Sequence, residues 1–245
     1  SIRSVGGWAF ASCENLVSVE MRGCIKELSS GVYDDCKSLR NIVLPPGIEK
    51  VGDAAFRDCC CLEALVFPCS VKSFGWRALS GCRALRSISI PDGVTYISSE
   101  MFCDCISMTA IRLSNELTGI SDRAFDGCTS LKEIILPKSL RFINRGAFRD
   151  CRNMKSITIP NRVIRIEPET FYGCTGMEQV IMGSSIKFIS ESAFGNCYSL
   201  KQIYFTGNCP KVETDMRFSG FRGEESKSIF SDSKHIKIEH NPETR

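Results

Sequence analysis

The sequence predicts an α/β repeat solenoid of about ten stacked coils, and three observations predict it. Nine cysteines, Cys13, Cys36, Cys59, Cys82, Cys105, Cys128, Cys151, Cys174 and Cys197, stand 23 residues apart along the 245-residue chain. Apolar columns keep the same register: the third residue after each Cys is Leu or Met, from Leu16 to Leu200, and the sixth is Val, Leu or Ile, from Val19 to Ile203. Three residues before the Cys stands an aromatic, Phe10, Tyr33, Phe56, Phe102, Phe125, Phe148, Phe171 or Phe194, with Leu79 as the exception. Self-similarity at a fixed period of this size marks a solenoid. A single unit of this length cannot bury so many apolar side chains, so neighbouring units must stack and share one core. With strands about 4.8 Å apart, ten coils give a body roughly 45–50 Å long.

Within one unit the pattern Leu-x-x-Ile-x-Ile alternates apolar and polar residues, which describes a short strand with one face inward. The strand ends at a proline in several units, Pro45, Pro68, Pro91, Pro137 and Pro160, because proline cannot donate to a ladder interior. In the other half, Asp53-Ala54-Ala55-Phe56 and Asp122-Arg123-Ala124-Phe125 place an N-capping residue type before a small residue and an aromatic. That order predicts one short helical or 3₁₀ turn per unit. The register runs without a slip from Cys13 to Cys197 and decays afterwards, with Cys209 in an apolar position and Gly220 where the next Cys is due. The expected division is a solenoid over 1–220 and a C-terminal cap and tail over 221–245, with strand character around Ile236-Lys237-Ile238 and disorder over 241–245. At the other end, Ile2 and Val5 already fit the second half of a repeat. The expectation there is an open end, completed by upstream repeats, a cap or a partner.

The string Phe-x-x-Cys-x-x-Leu-x-x-Ile-x-Ile-Pro-x-x-Val-x-x-Ile runs from Phe148 through Ile166 with Met154 at the Leu position, and from Leu79 through Ile97 with Leu79 at the Phe position. It resembles the BspA-like class of leucine-rich repeats over about residues 1–218. The resemblance implies a right-handed superhelix with a parallel sheet on one face. It also implies a non-enzymatic adhesion or interaction module of a surface or secreted protein, with a protein or glycoprotein partner. An intracellular scaffold is the alternative, suggested by the many thiols and by a first stretch without the order of a secretory signal.

Composition narrows the chemistry. Lys and Arg number 31 against 28 Asp and Glu, so no broad excess of charge drives binding to nucleic acid or an anionic surface. No apolar run reaches membrane-spanning length, so no membrane insertion is expected. The Cys column reads as buried small hydrophobes, because it is phased with the apolar columns. Cys24, Cys60, Cys61, Cys69, Cys103 and Cys209 lie off it, in spacings unlike those of zinc sites. No metal, no cofactor and no catalytic residue is expected. The only histidines, His235 and His240, fall outside the repeats, and the Asp that recurs before the Cys at Asp35, Asp58, Asp104 and Asp150 reads as turn chemistry.

Binding surfaces remain. Fourteen residues after the Cys stand Tyr96, Phe142 and Phe188, one in every second coil, with Gly119 and Arg165 between them. Outward rings would form an aromatic row able to grip a protein or a sugar, whereas inward rings would be core. The strand face contributes Arg112, Ile135, Thr158, Ile181 and Tyr204, with Val43 and Val66 adding apolar surface. Four after the Cys, Arg40, Arg86, Lys132, Lys155 and Lys201 form a basic stripe broken by Glu63, Thr109 and Glu178. Oligomeric state is not legible.

Overall fold

The computed structural model describes residues 3–206 and 237–240. In chain order the strands are β1 (Ser18–Glu20), β2 (Glu27–Leu28), β3 (Asn41–Val43), β4 (Lys50–Val51), β5 (Ser73–Phe74), β6 (Ser87–Ser89), β7 (Tyr96–Ile97) and β8 (Ala110–Arg112). They continue as β9 (Gly119–Ile120), β10 (Phe142–Ile143), β11 (Ser156–Thr158), β12 (Arg165–Ile166), β13 (Gln179–Met182), β14 (Phe188–Ile189), β15 (Gln202–Phe205) and β16 (Lys237–His240). All pairing is parallel, and from Ser18↔Asn41 to Gln179↔Gln202 the partners are one repeat apart. Eight turns of 23 residues therefore separate Cys13 from Cys197.

Two strand columns run along the stack rather than one. The first holds β1, β3, β6, β8, β11, β13 and β15, with the bridge Ala64↔Ser87 joining the third coil. The second holds two-residue strands, β2-β4-β5, β7-β9-β10 and β12-β14. Prolines link the two: the carbonyls of Pro68, Pro137 and Pro160 accept from the N–H groups of Val71, Leu140 and Val163, closing the turn that sends the chain to the second column. At the far end β16 pairs with β15, Gln202↔Lys237 to Phe205↔His240. The strand expected near Ile236 to Ile238 is thus present over 237–240, while the rest of the expected cap and the 241–245 tail lie outside the described residues.

The expected helical turn is replaced by a bend. No helix occurs among the described residues, although bonds such as Val32 N–H to the Ser29 carbonyl and Cys36 N–H to the Tyr33 carbonyl keep a three-residue spacing. The reason is two left-handed residues per coil, five before and one before each column Cys, with φ between 51° and 74°. Left-handed residues cannot propagate a right-handed helix. The Asp53 carboxylate also does not cap its own turn: its Oδ1 accepts from the Trp76 N–H of the next coil at 2.8 Å. The bends stack as a third ladder, in which the N–H groups of Phe56, Phe102, Phe125, Phe148 and Phe171 donate to carbonyls of the following coil.

The core lies between these three ladders. Phe10, Tyr33 and Phe56 form one stack, and Phe102 through Phe194 another, with ring centroids 5.1–5.7 Å apart and planes within 16°. Buried Leu79 separates them. Beside the rings runs the Cys column, half-buried at Cys13 and buried from Cys36 to Cys197. Each buried thiol donates to the carbonyl of the aromatic-column residue in the preceding coil, as Cys59 does to Tyr33 at 3.0 Å and Cys128 to Phe102 at 3.1 Å. A thiol thus fills a methyl-sized hole and satisfies a second lone pair of a buried carbonyl.

From Cys59 to Cys174 the residue before the column Cys alternates along the stack: Asp58, Gly81, Asp104, Gly127, Asp150, Gly173. All are left-handed, a conformation that Asp and Gly tolerate. The alternation has a packing cause, since a Cβ on Gly127 would sit 2.6 Å from Asp104 Oδ1 and one on Gly173 2.5 Å from Asp150 Oδ1. Gly127→Ala is expected to destabilise by roughly 1–2 kcal/mol, from left-handed strain and the displaced carboxylate. Adding Asp104→Ala should recover part of that loss in urea unfolding, and an unchanged midpoint in the single variant would contradict the packing reading.

Candidate functional site

The first strand column presents its outer side chains to solvent because alternation is strict, with exposed, buried, exposed residues in β3, β6 and β11. Its second outward position carries Val43, Val66, Ser89, Arg112, Ile135, Thr158, Ile181 and Tyr204. Val66 is 81% exposed and Ile135 86%, far more than a packed residue requires, whereas Ile181 and Tyr204 are half-buried. Between them the face sinks. Ala64, Ser87, Ser89 and Ala110 are short in three successive coils, leaving a groove of about 660 Å³ walled by Val66 and Arg112. The Arg112 guanidinium is fixed by Asp92 at 2.9 Å, and that bond, joined by the Asn115 N–H, holds the Asp92 carboxyl below its ordinary range. The groove escaped sequence reading because it arises from small residues aligned across coils; the Ala64, Ser87, Ala110 column was its visible signal.

The second strand column carries the other candidates. Tyr96, Phe142 and Phe188 are 52%, 54% and 45% exposed, so the rings face solvent rather than the core. Tyr96 lies against Gly119, where a Cβ would come within 2.7 Å of the ring. The Arg165 guanidinium sits 4.8 Å over the Phe188 ring. The structure therefore does not gather the predicted residues into one site: Arg112, Ile135, Thr158, Ile181 and Tyr204 share one column and the three rings another. The basic stripe is partly neutralised from coil to coil, Arg40 with Glu63 at 3.4 Å and Glu178 with Lys155 at 3.4 Å and Lys201 at 3.2 Å. Such exposed pairs contribute little stability.

The buried thiols are held in their protonated form. All 14 described cysteines are free; Cys209 lies outside the described residues. Burial pushes the column thiols up, Cys197 to about 12 and Cys82, Cys105, Cys128, Cys151 and Cys174 well above their ordinary value. Thiolates, the form that attacks or ligates, are therefore suppressed there. Cys103, off the column, is also raised to about 12, first by burial and then by Asp104 and Asp126. Burial raises Asp126 to about 6 against the pull of Arg149 and Arg123. Asp34 is buried in an ion pair with Arg57, in which Nη2 donates to Oδ2 at 2.7 Å while Nε lies 2.7 Å from Oδ1 without a hydrogen bond between them. That pair spans one coil step and acts as a strut. Among the described residues no group of three or more His, Cys, Asp or Glu could hold a metal ion. His235 lies outside the described residues, and His240 is described only as a residue of β16. No helix among them is long and apolar enough to cross a membrane.

Comparison with known proteins agrees with this architecture. The sequence matches the BspA type leucine-rich repeat region, in six copies, over residues 1–109 and 95–221. A leucine-rich repeat protein from Bacteroides ovatus is similar at 25% identity with a TM-score of 0.65, over 84% of this chain and 59% of its own. The chain thus spans little more than half of that protein. A leucine-rich repeat protein of T. pallidum is 30% identical with a TM-score of 0.60, over 62% of this chain and 72% of its own. A leucine-rich cell surface protein from Faecalibacterium prausnitzii shares the fold at 18% identity and a TM-score of 0.51, over 99% of this chain and 84% of its own. No curated protein matches significantly. Six family repeats, the unbroken register and the parallel stacked coils agree, and the chain belongs to the BspA-type leucine-rich repeat family, whose repeats generally mediate protein interactions.

Proposed function

We propose that this chain is a non-enzymatic recognition module of a larger surface or secreted protein, and that it binds a protein or glycoprotein partner along the first strand column. The observation that carries the reading is the outward apolar series Val43, Val66 and Ile135, left uncovered beside a groove of about 660 Å³. Buried apolar anchors surrounded by polar residues are the usual energetic centre of an interface. Ser87, Ser89 and Thr158 supply such a polar surround. A surface location is supported by the name of the F. prausnitzii neighbour, a cell surface protein. The second reading, an intracellular scaffold, is favoured by the free state of the described thiols, since oxidising compartments promote disulfides.

The test is saturable binding to a panel of purified matrix glycoproteins. Wild type is expected to bind at least one, and Val66→Glu combined with Ile135→Glu to weaken that binding about tenfold or more. Binding indifferent to both changes would remove the strand face as the site. Absence of any binding, with a partner found instead among cytosolic proteins, would favour the scaffold.

A further inference from the structure

The charge on the second strand column changes character along the stack. In the first coils the charges cancel across one step, Lys26 with Glu49 at 2.6 Å and Lys50 with Glu27 at 2.8 Å. From Thr95 to Phe188 the same two positions per coil hold three exposed cations, Arg141, Arg165 and Lys187, and no carboxylate. Among the described residues none of the three takes part in an ion pair. These cations share the strip with the half-exposed rings of Tyr96, Phe142 and Phe188, one in every second coil and thus about 9.6 Å apart along the axis.

We propose that this strip is a binding site for an acidic, extended glycan, separate from the strand face assigned above. A pyranose ring has an apolar face of C–H bonds that stacks on an aromatic ring, and acidic substituents at its edge that pair with guanidinium or ammonium groups. An extended chain of such sugars advances by about one coil spacing per ring. Alternate sugars therefore meet Tyr96, Phe142 and Phe188, and those between them meet the Arg165 guanidinium or the Tyr96 ring where it covers the buried Gly119. Gly119 has a definite part in this arrangement, because the Tyr96 ring lies down on its backbone and any side chain there would push the ring away. Arg165 is held over Phe188, which orients its donors without a carboxylate to neutralise them.

The test is titration calorimetry of the chain with a sulfated glycosaminoglycan octasaccharide and an oligogalacturonate, using poly-glutamate as a charge control. At least one sugar should bind. Phe142→Ala and Phe188→Ala should each weaken it about tenfold, Phe142→Tyr should restore wild-type affinity, and Arg165→Gln should weaken it and flatten its salt dependence. Because the rings are half-exposed, urea midpoints of these variants should stay near wild type, so lost binding is not lost folding. The Val66→Glu, Ile135→Glu variant should bind the sugar normally, which separates this site from the strand face. Failure of both sugars to bind at millimolar concentration overturns the proposal. Binding insensitive to the ring variants, or poly-glutamate binding as tightly and equally without the rings, also overturns it and points to an acidic protein segment instead.

Discussion

Cys128→Asp is expected to destabilise the solenoid by roughly 3–5 kcal/mol at neutral pH, whereas Cys128→Ala should cost about 1 kcal/mol. The difference follows from the environment of the column. Cys128 is fully buried between Cys105 and Cys151, and its thiol donates to the Phe102 carbonyl at 3.1 Å. Alanine loses that bond and a sulfur-sized volume. An ionised aspartate loses the donor as well and aims its charge at a carbonyl oxygen, with no cation in the column to compensate. The penalty should depend on pH with a definite sign. Burial would raise the folded-state pKa of this carboxyl above its unfolded value, so the folded state binds the proton more tightly and acid favours folding. The deficit relative to Cys128→Ala should therefore shrink as pH falls from 7 toward 4. Urea unfolding of both variants at the two pH values checks this, and equal midpoints for Asp and Ala at pH 7 would mean that the column is not dry.

Phe148→Ala is expected to cost about 3–5 kcal/mol, the range for deleting a buried aromatic. Phe148 stacks on Phe125 at 5.2 Å and on Phe171 at 5.6 Å with planes 1° and 2° apart, so truncation opens a cavity between two coils. Phe148→Leu should cost less than half as much, because the stack already tolerates Leu79 at the equivalent position. In a quasi-one-dimensional protein, a mid-stack lesion also weakens the coupling between the two halves. The Ala variant should therefore unfold in a broader or split transition, and the Leu variant in one step. An Ala variant that melts like wild type would show that the bend ladder holds the coils without the rings.

Particular residues show how far the sequence could be read. The Cys column and the aromatic column were legible because a period of 23 residues puts each chemical requirement at one fixed offset, and repetition exposes what a single unit would hide. Asp53 and Asp122 misled: capping residue types before Ala and Phe look like a helix start. The left-handed residues that forbid the helix are often not glycine, as at Ala54 and Arg123. Their conformation is imposed by the ladder to the next coil, which has no local signature. The row of Tyr96, Phe142 and Phe188 was visible as spacing, yet its orientation was open, because a two-residue strand is too short for alternation to fix which side faces inward.

By itself, then, the sequence determined the repeat length, the stacking of coils, the buried identity of the Cys and aromatic columns and the strand that ends at proline. Those follow from burial, and burial recurs at each offset whatever the exact path of the chain. Tertiary structure decided the second strand column, the bend in place of a helix, the outward rings and the groove over Ala64, Ser87 and Ala110. It also set the Asp104 and Gly127 alternation and the cations at Arg141, Arg165 and Lys187, which form no ion pair among the described residues. Each of these depends on what one coil places against the next, about 4.8 Å away across the ladder, a relation that links residues 23 apart and is settled only when the coils are stacked.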